Sequence, residues 1–126
     1  MLSVEQRREA AASLALAEQT RAPIRPLGET YPAMAVVDAY EIALVNVRDR
    51  VERGAAVVGH KVGLSSEAMQ QMMGVDEPDY GHLLADMRLH EDEPVDVSRY
   101  CYPRVEVEVA FVLGRTLPGA DCTEED

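Results

Sequence analysis

Apolar residues recur at spacings of three and four through Val36, Tyr40, Leu44, Val47 and Val51, and at a spacing of two through Val105, Val107, Val109, Phe111 and Leu113. The first pattern predicts an amphipathic helix that begins between residues 32 and 36 and runs to about 53, with Gly54 just past its end. Asp49, Arg50, Glu52 and Arg53 lie mostly off its stripe. The second pattern predicts a β-strand over residues 105–113. Ahead of both, Ser3 followed by Gln6 matches a capping box, and the alanine-rich run behind it predicts a helix over residues 4–19. Pro23, Pro26, Gly28 and Pro32 make residues 21–32 a connector.

Between the long helix and the C-terminal strand the pattern is shorter in range. Residues 55–64 read as a strand interrupted by Gly59 and Gly63, where glycine permits a bulge or the close approach of another group. Ser65-Ser66-Glu67 looks like a helix start, and the short helix 68–73 should end at Gly74 with Met69, Met72 and Met73 on its core side. Residues 75–81 form a polar loop in which Asp79 suits a turn aspartate. A short strand over 82–87 follows, with His82 as a structural histidine. Residues 88–102 are acidic and irregular, and the tail 115–126 carries no helix or strand signal. The expected class is α+β, a single domain with a helical region over 1–54 and a β-rich part over 55–126.

Composition narrows the function. The chain has 126 residues, 47% hydrophobic and 28% charged, which is enough to bury a core. Its net charge of −11 argues against nucleic acid or anionic lipid as a partner, because no basic stripe exists to release counterions. An acidic chain that handles an anionic substrate must bring positive charge to one place, as a bound metal and a well-placed lysine would. The start of the chain has no apolar core of a signal peptide, and no apolar run reaches the length of a membrane span. Cys101 and Cys122 form neither a CxxC nor a dense framework, which suits a reducing cytoplasm. His60, His82 and His90 show no zinc spacing.

The candidate chemistry sits on the strands. Glu106 and Glu108 share one face of the 105–113 strand, roughly 7 Å apart, and that face continues into Ala110 and Val112. A solvated face stays polar along its length, so this pair points to an enclosed space that needs a cation between the carboxylates or a raised pKa. An ordinary half-exposed antiparallel strand gives the same alternation. Lys61 lies between the two glycines among Val57, Val58, Val62 and Leu64. It either snorkels outward or is partly desolvated with a depressed pKa.

Three segments together, residues 59–66 (GHKVGLSS), 74–81 (GVDEPDYG) and 103–114 (PRVEVEVAFVLG), resemble the 2-keto-4-pentenoate hydratase family and the related 4-oxalocrotonate decarboxylases of the fumarylacetoacetate hydrolase superfamily. The Asp38-Ala39-Tyr40 triplet also fits. The resemblance implies helices packed on a mixed, β-rich barrel-like core. It also implies a Mg²⁺ or Mn²⁺ held by Glu106 and Glu108, catalytic roles for Lys61 and Asp79, and a substrate contact at Ser66. Family members are about twice this long, so the resemblance implies an N-terminal portion. The rest of the core and a third metal carboxylate would then lie past residue 126.

The implied reaction is hydration of 2-hydroxypenta-2,4-dienoate to 4-hydroxy-2-oxopentanoate in the breakdown of aromatic compounds. Decarboxylation of 2-oxo-3-hexenedioate is the alternative, and a non-catalytic partner subunit is a third reading. The partners implied are a small dienoate, a second copy of the chain, and a complex with a related decarboxylase or the downstream aldolase. Oxygen-only ligands suit Mg²⁺ or Mn²⁺ rather than zinc.

Overall fold

The computed structural model describes residues 1–117 and 119–123. Helix α1 spans Val4–Thr20, and its capping box is formed as the sequence predicts: Ser3 Oγ accepts from Gln6 N, and Gln6 Oε1 accepts from Ser3 N. Helix α3 spans Val36–Glu52, and Gly54 behind it takes a φ of 101°, a conformation that favours glycine. A four-residue helix α2, Leu27–Thr30, lies in the connector where no helix is expected. Its first turn starts directly after Pro26, whose fixed φ suits a helix entry.

α1 and α3 pack together around Leu2, Ala10, Ala11 and Ile42, with Leu27, Tyr31, Met34 and Val45 closing the edges. The expected apolar stripe of α3 is therefore rotated. The face turned to α1 runs through Asp38, Ile42 and Val45, while Val36 and Val51 are exposed. A stripe read from apolar residues alone passes over Asp38, which is fully buried. Its carboxylate accepts from Leu2 N at 3.1 Å, from Ala35 N at 2.9 Å and from Arg7 Nε at 2.9 Å. An ion pair to Arg7 Nη2 at 2.8 Å completes the set. Lone-pair demand is thus met inside the core, which is what a buried carboxylate requires.

Strands β1, Val57–Gly63, and β2, Asp79–Leu84, form an antiparallel hairpin around helix α4, Glu67–Met73. The register slips between Val57 and Gly59, so the bulge permitted by the glycine is present. β2 begins at Asp79 rather than at 82 and passes at Ala85–Met87 into a 3-10 turn, so Asp79 is a strand residue and not a turn aspartate. Tyr40 of α3 stacks on Tyr80 of β2 with ring centroids 4.8 Å apart and planes 19° from parallel. Arg50 binds Asp86 at 2.7 Å. These contacts dock the hairpin on α3.

Two expectations fail here, the strand over 105–113 and the core placement of Met69, Met72 and Met73. Residues 104–113 pair with no strand among the described residues, and Val107, Val112 and Phe111 are 100%, 99% and 85% exposed. Alternation gives a segment the shape of a strand, but a ladder needs a neighbouring backbone, and only β1 and β2 pair here. The sheet has two strands among the described residues, so the barrel-like part of the expected α+β core is not seen. Met69, Met72 and Met73 of α4 are likewise exposed rather than core, because α4 turns them to solvent and no described element packs over them. The tail expectation falls partly on residues 118 and 124–126, outside the described residues. Residues 119–121 form a single 3-10 turn.

The Asp38 carboxyl lies below its ordinary value of 3.8, chiefly through the Ala35 N–H bond, with burial opposing and the bonds from Leu2 and Arg7 reinforcing. A depressed carboxylate pKa stabilises the fold above the unfolded value, and that contribution is lost as pH falls through the folded value. Asp38→Asn should lower the thermal midpoint at pH 7 by more than about 5 °C. The loss should shrink toward pH 3 in a series of melts, and an equal loss at pH 7 and pH 3 would refute the assignment.

Candidate functional site

Side chains alternate across a strand, and directly paired residues share a face. Lys61 pairs with Gly81 and Gly63 with Asp79, so Lys61 and Asp79 stand on one face of the hairpin as diagonal neighbours, roughly 7–8 Å apart by strand geometry. The opposite face carries His60, Val62, Tyr80 and His82. His60 and His82 meet edge-on with centroids 4.8 Å apart.

Glycine shapes the Lys61 face. A Cβ at Gly63 would run into the Asp79 carboxylate, whereas one at Gly81 would meet nothing within 4 Å. Gly63 thus lets Asp79 lie across the neighbouring strand, and Gly81 leaves open room beside Lys61. The turn after β1 is held in a conformation that branched residues seldom adopt: Leu64 has a φ of 52°. Gln70 Nε2 donates to the Leu64 carbonyl at 2.7 Å and secures it. No local pattern in the sequence marks either residue, because the strain is visible only in the backbone. Ser66 Oγ accepts from Met69 N at 3.3 Å as the N-cap of α4. That hydroxyl is already engaged in a structural bond.

Lys61 is the point of convergence. Its Nζ lies 3.0 Å from Glu106 Oε2 and 2.5 Å from Glu108 Oε1. A cation does stand between the two carboxylates, and it is this ammonium. The groups are 44%, 62% and 55% exposed in the order Lys61, Glu106, Glu108, so the described residues do not enclose them. Hydrogen bonding to Glu108 and then Glu106 raises the Lys61 pKa above its ordinary 10.5, against a smaller opposing effect of desolvation. The depressed pKa read from its apolar sequence neighbours is therefore overturned. Glu106 moves the other way, lowered by the bond to Lys61 and by its charge. A concavity of about 800 Å³ elsewhere, lined by Arg8, Glu18, Asn46, Asp49 and Arg50 among others, contains none of these residues.

No family model matches the chain. It is 45% identical over 125 residues to a 2-keto-4-pentenoate hydratase of Paraburkholderia xenovorans (strain LB400), covering 99% of this chain and 46% of that protein. This chain is related to the 2-keto-4-pentenoate hydratases. A 2-oxo-hept-4-ene-1,7-dioate hydratase of Escherichia coli is 43% identical over 107 residues, covering 85% of this chain and 40% of its own. The chain thus spans a little under half the length of these hydratases. In structure it is similar to 4-oxalocrotonate decarboxylase from Pseudomonas putida G7, solved with calcium and acetate, at a TM-score of 0.64 and 34% identity. That match covers 67% of this chain and 32% of the decarboxylase. A second structure of the decarboxylase, with magnesium and adipate, matches at a TM-score of 0.62 and 36% identity.

Among the described residues no group of three or more His, Cys, Asp or Glu forms a metal cage. The donor chemistry of Glu106 and Glu108 still suits a hard divalent cation, since one oxygen of each converges on a single cationic centre. Two carboxylates would supply part of the usual six oxygens, with water or substrate completing the set. The glycine face yields a direct test. Gly63→Ala should lower the thermal midpoint by several degrees, about 1–3 kcal/mol of overpacking against Asp79, and Gly81→Ala should leave it nearly unchanged. Equal melting temperatures for the two variants would show that Asp79 does not lie over Gly63.

Proposed function

We propose that this chain supplies part of the active site of a hydratase that converts a 2-hydroxy-2,4-dienoate into a 4-hydroxy-2-oxo acid. The observation that carries the reading is the convergence of Glu106, Glu108 and Lys61 beside the Asp79 face, in a chain 45% identical to a 2-keto-4-pentenoate hydratase. Mg²⁺ or Mn²⁺ bound by Glu106 and Glu108 would supply Lewis-acid polarisation of the 2-oxo group. Both calcium and magnesium occur with the related decarboxylase, which supports a divalent ion.

Lys61 orients the substrate carboxylate as a fixed positive charge, a task its raised pKa suits better than that of a base. Asp79 acts as acid or base while the enol becomes a conjugated 2-oxo-3-enoate, gaining a proton at the far carbon and losing the hydroxyl proton. Water then adds at the carbon β to the conjugated carbonyl. The space over Gly81, where a Cβ would meet nothing within 4 Å, is where substrate would approach. Ser66 would reach substrate through its backbone or by sharing its cap.

Decarboxylation of 2-oxo-3-hexenedioate is the second reading, favoured by the structural likeness to 4-oxalocrotonate decarboxylase. Turnover of the two substrates side by side separates them. The bare apolar run at 105–113 is the surface that a second copy or further strands of the same protein would cover. Free Cys101 and Cys122 fit a reducing, cytoplasmic setting.

In the complete protein, Glu106→Gln and Glu108→Gln should each abolish Mg²⁺-dependent hydration while circular dichroism stays native. Full activity in the double variant would remove the pair from the site. Lys61→Met should cost turnover by a factor of about 10² or more, read as kcat with saturating dienoate.

A further inference from the structure

The turn that leaves β1 adopts a conformation its residue disfavours. Leu64 has a φ of 52°, where the Cβ of an L-residue crowds the following carbonyl. One side chain supports it: Gln70 Nε2 donates to the Leu64 carbonyl at 2.7 Å in a part-buried bond. We propose that Gln70 is a positioning residue, which holds Leu64 in the left-handed region and so sets the Gly63–Ser66 backbone against Asp79. The inference rests on the hydratase reading and adds to that site a residue that acts through the backbone rather than on substrate.

The place of Leu64 in the chain gives this contact its reach. On one side is Gly63, paired with Asp79 and covered by that carboxylate so closely that no Cβ fits. Two residues to the other side is Ser66, the N-cap of α4, whose Oγ accepts from Met69 N. A return of Leu64 to negative φ would swing one of these against the other, because φ and ψ are the soft rotations of the backbone. Gln70 is itself tied to both ends of α4. Its N–H donates to Ser66 O at 3.0 Å, and its carbonyl accepts from Val75 N at 3.0 Å and from the Gly74 cap. The side chain that holds Leu64 is therefore anchored to the N-cap behind it and to the segment that leads into β2. Satisfying one carbonyl is a task that many donors, water included, can perform. Holding a leucine at positive φ is a narrower one, since that geometry persists only where its surroundings impose it.

The test separates conformation from stability. In the complete protein, kcat and KM for 2-hydroxypenta-2,4-dienoate with Mg²⁺ would be measured for Gln70→Met and for the isosteric Gln70→Glu, which both remove the donor at neutral pH. Each should lose about tenfold in kcat/KM, short of the roughly 10²-fold that a misplacement of about 1 Å costs. Adding Leu64→Gly to Gln70→Met should restore turnover to within about threefold of the parent, because glycine takes positive φ without crowding. Adding Leu64→Ala should not, since alanine keeps its Cβ. The melting temperature should stay below the parent's in both double variants, as the bond is missing from each. A purely structural role ties activity to melting temperature and cannot restore one without the other. Parent-like kcat and KM in both Gln70 variants would overturn the positioning role. So would a loss that Leu64→Gly does not rescue, or that Leu64→Ala rescues equally well. Absence of hydration by the parent enzyme would instead defeat the hydratase reading, and the positioning role with it.

Discussion

The buried carboxylate of Asp38 is the joint on which the remaining structure hangs. It gathers the Leu2 amide, the Arg7 guanidinium and the Ala35 amide around one buried carboxylate, which locks the start of α1 against the start of α3. With the first turn of α3 fixed, everything further along that helix acquires a defined direction. Tyr40 is set to stack on Tyr80, Asn46 reaches Ala11 O at 2.9 Å, and Arg50 binds Asp86. The hairpin is thus aligned by contacts at both ends of a helix whose own position is decided by one acidic residue. Buried apolar area alone is modest here, with Leu2, Ala10, Ala11 and Ile42 as the fully enclosed cluster. A charge-assisted network supplies the specificity that so small a core cannot.

The site follows from the opposite kind of constraint, the absence of side chains. Gly63 and Gly81 remove bulk from one face of the hairpin, so that Asp79 can lie over a neighbouring strand and Lys61 can stand beside open space. On a chain of net charge −11, the positive charge that meets this face is the Lys61 ammonium, which two glutamates hold. The reach from Lys61 to Glu108 spans 47 positions in sequence, so the electrostatic character of the site is a tertiary property.

That distance explains what the residues could reveal in advance and what they could not. Caps are local chemistry, so Ser3, Gln6, Ser66, Gly54 and Gly74 marked their helix ends correctly. Lys61, Glu106 and Glu108 could be singled out by type and spacing, and the fold brings these three side chains together. The direction of the Lys61 pKa was not, because its near neighbours are apolar and its deciding neighbours are remote. The face of α3 turned to α1 was misread for a related reason: its central residue is an aspartate, whose burial depends on partners from α1. The 105–113 alternation was a true statement about shape, but pairing is made between strands and cannot be read from one of them.

The hairpin register carries a consequence in chemical identity. Lys61 and His60 are consecutive, as are Asp79 and Tyr80, and each neighbour belongs to the opposite face. A slip of a single residue in both strands would therefore exchange an ammonium and a carboxylate for an imidazole and a phenol. The same few residues hold two alphabets, one hard and charged, the other aromatic. The bulge between Val57 and Gly59 and the stacking of Tyr40 on Tyr80 decide which of the two is displayed. Reactivity in this fold is selected by where a ladder is pinned, before any reacting group has met its substrate.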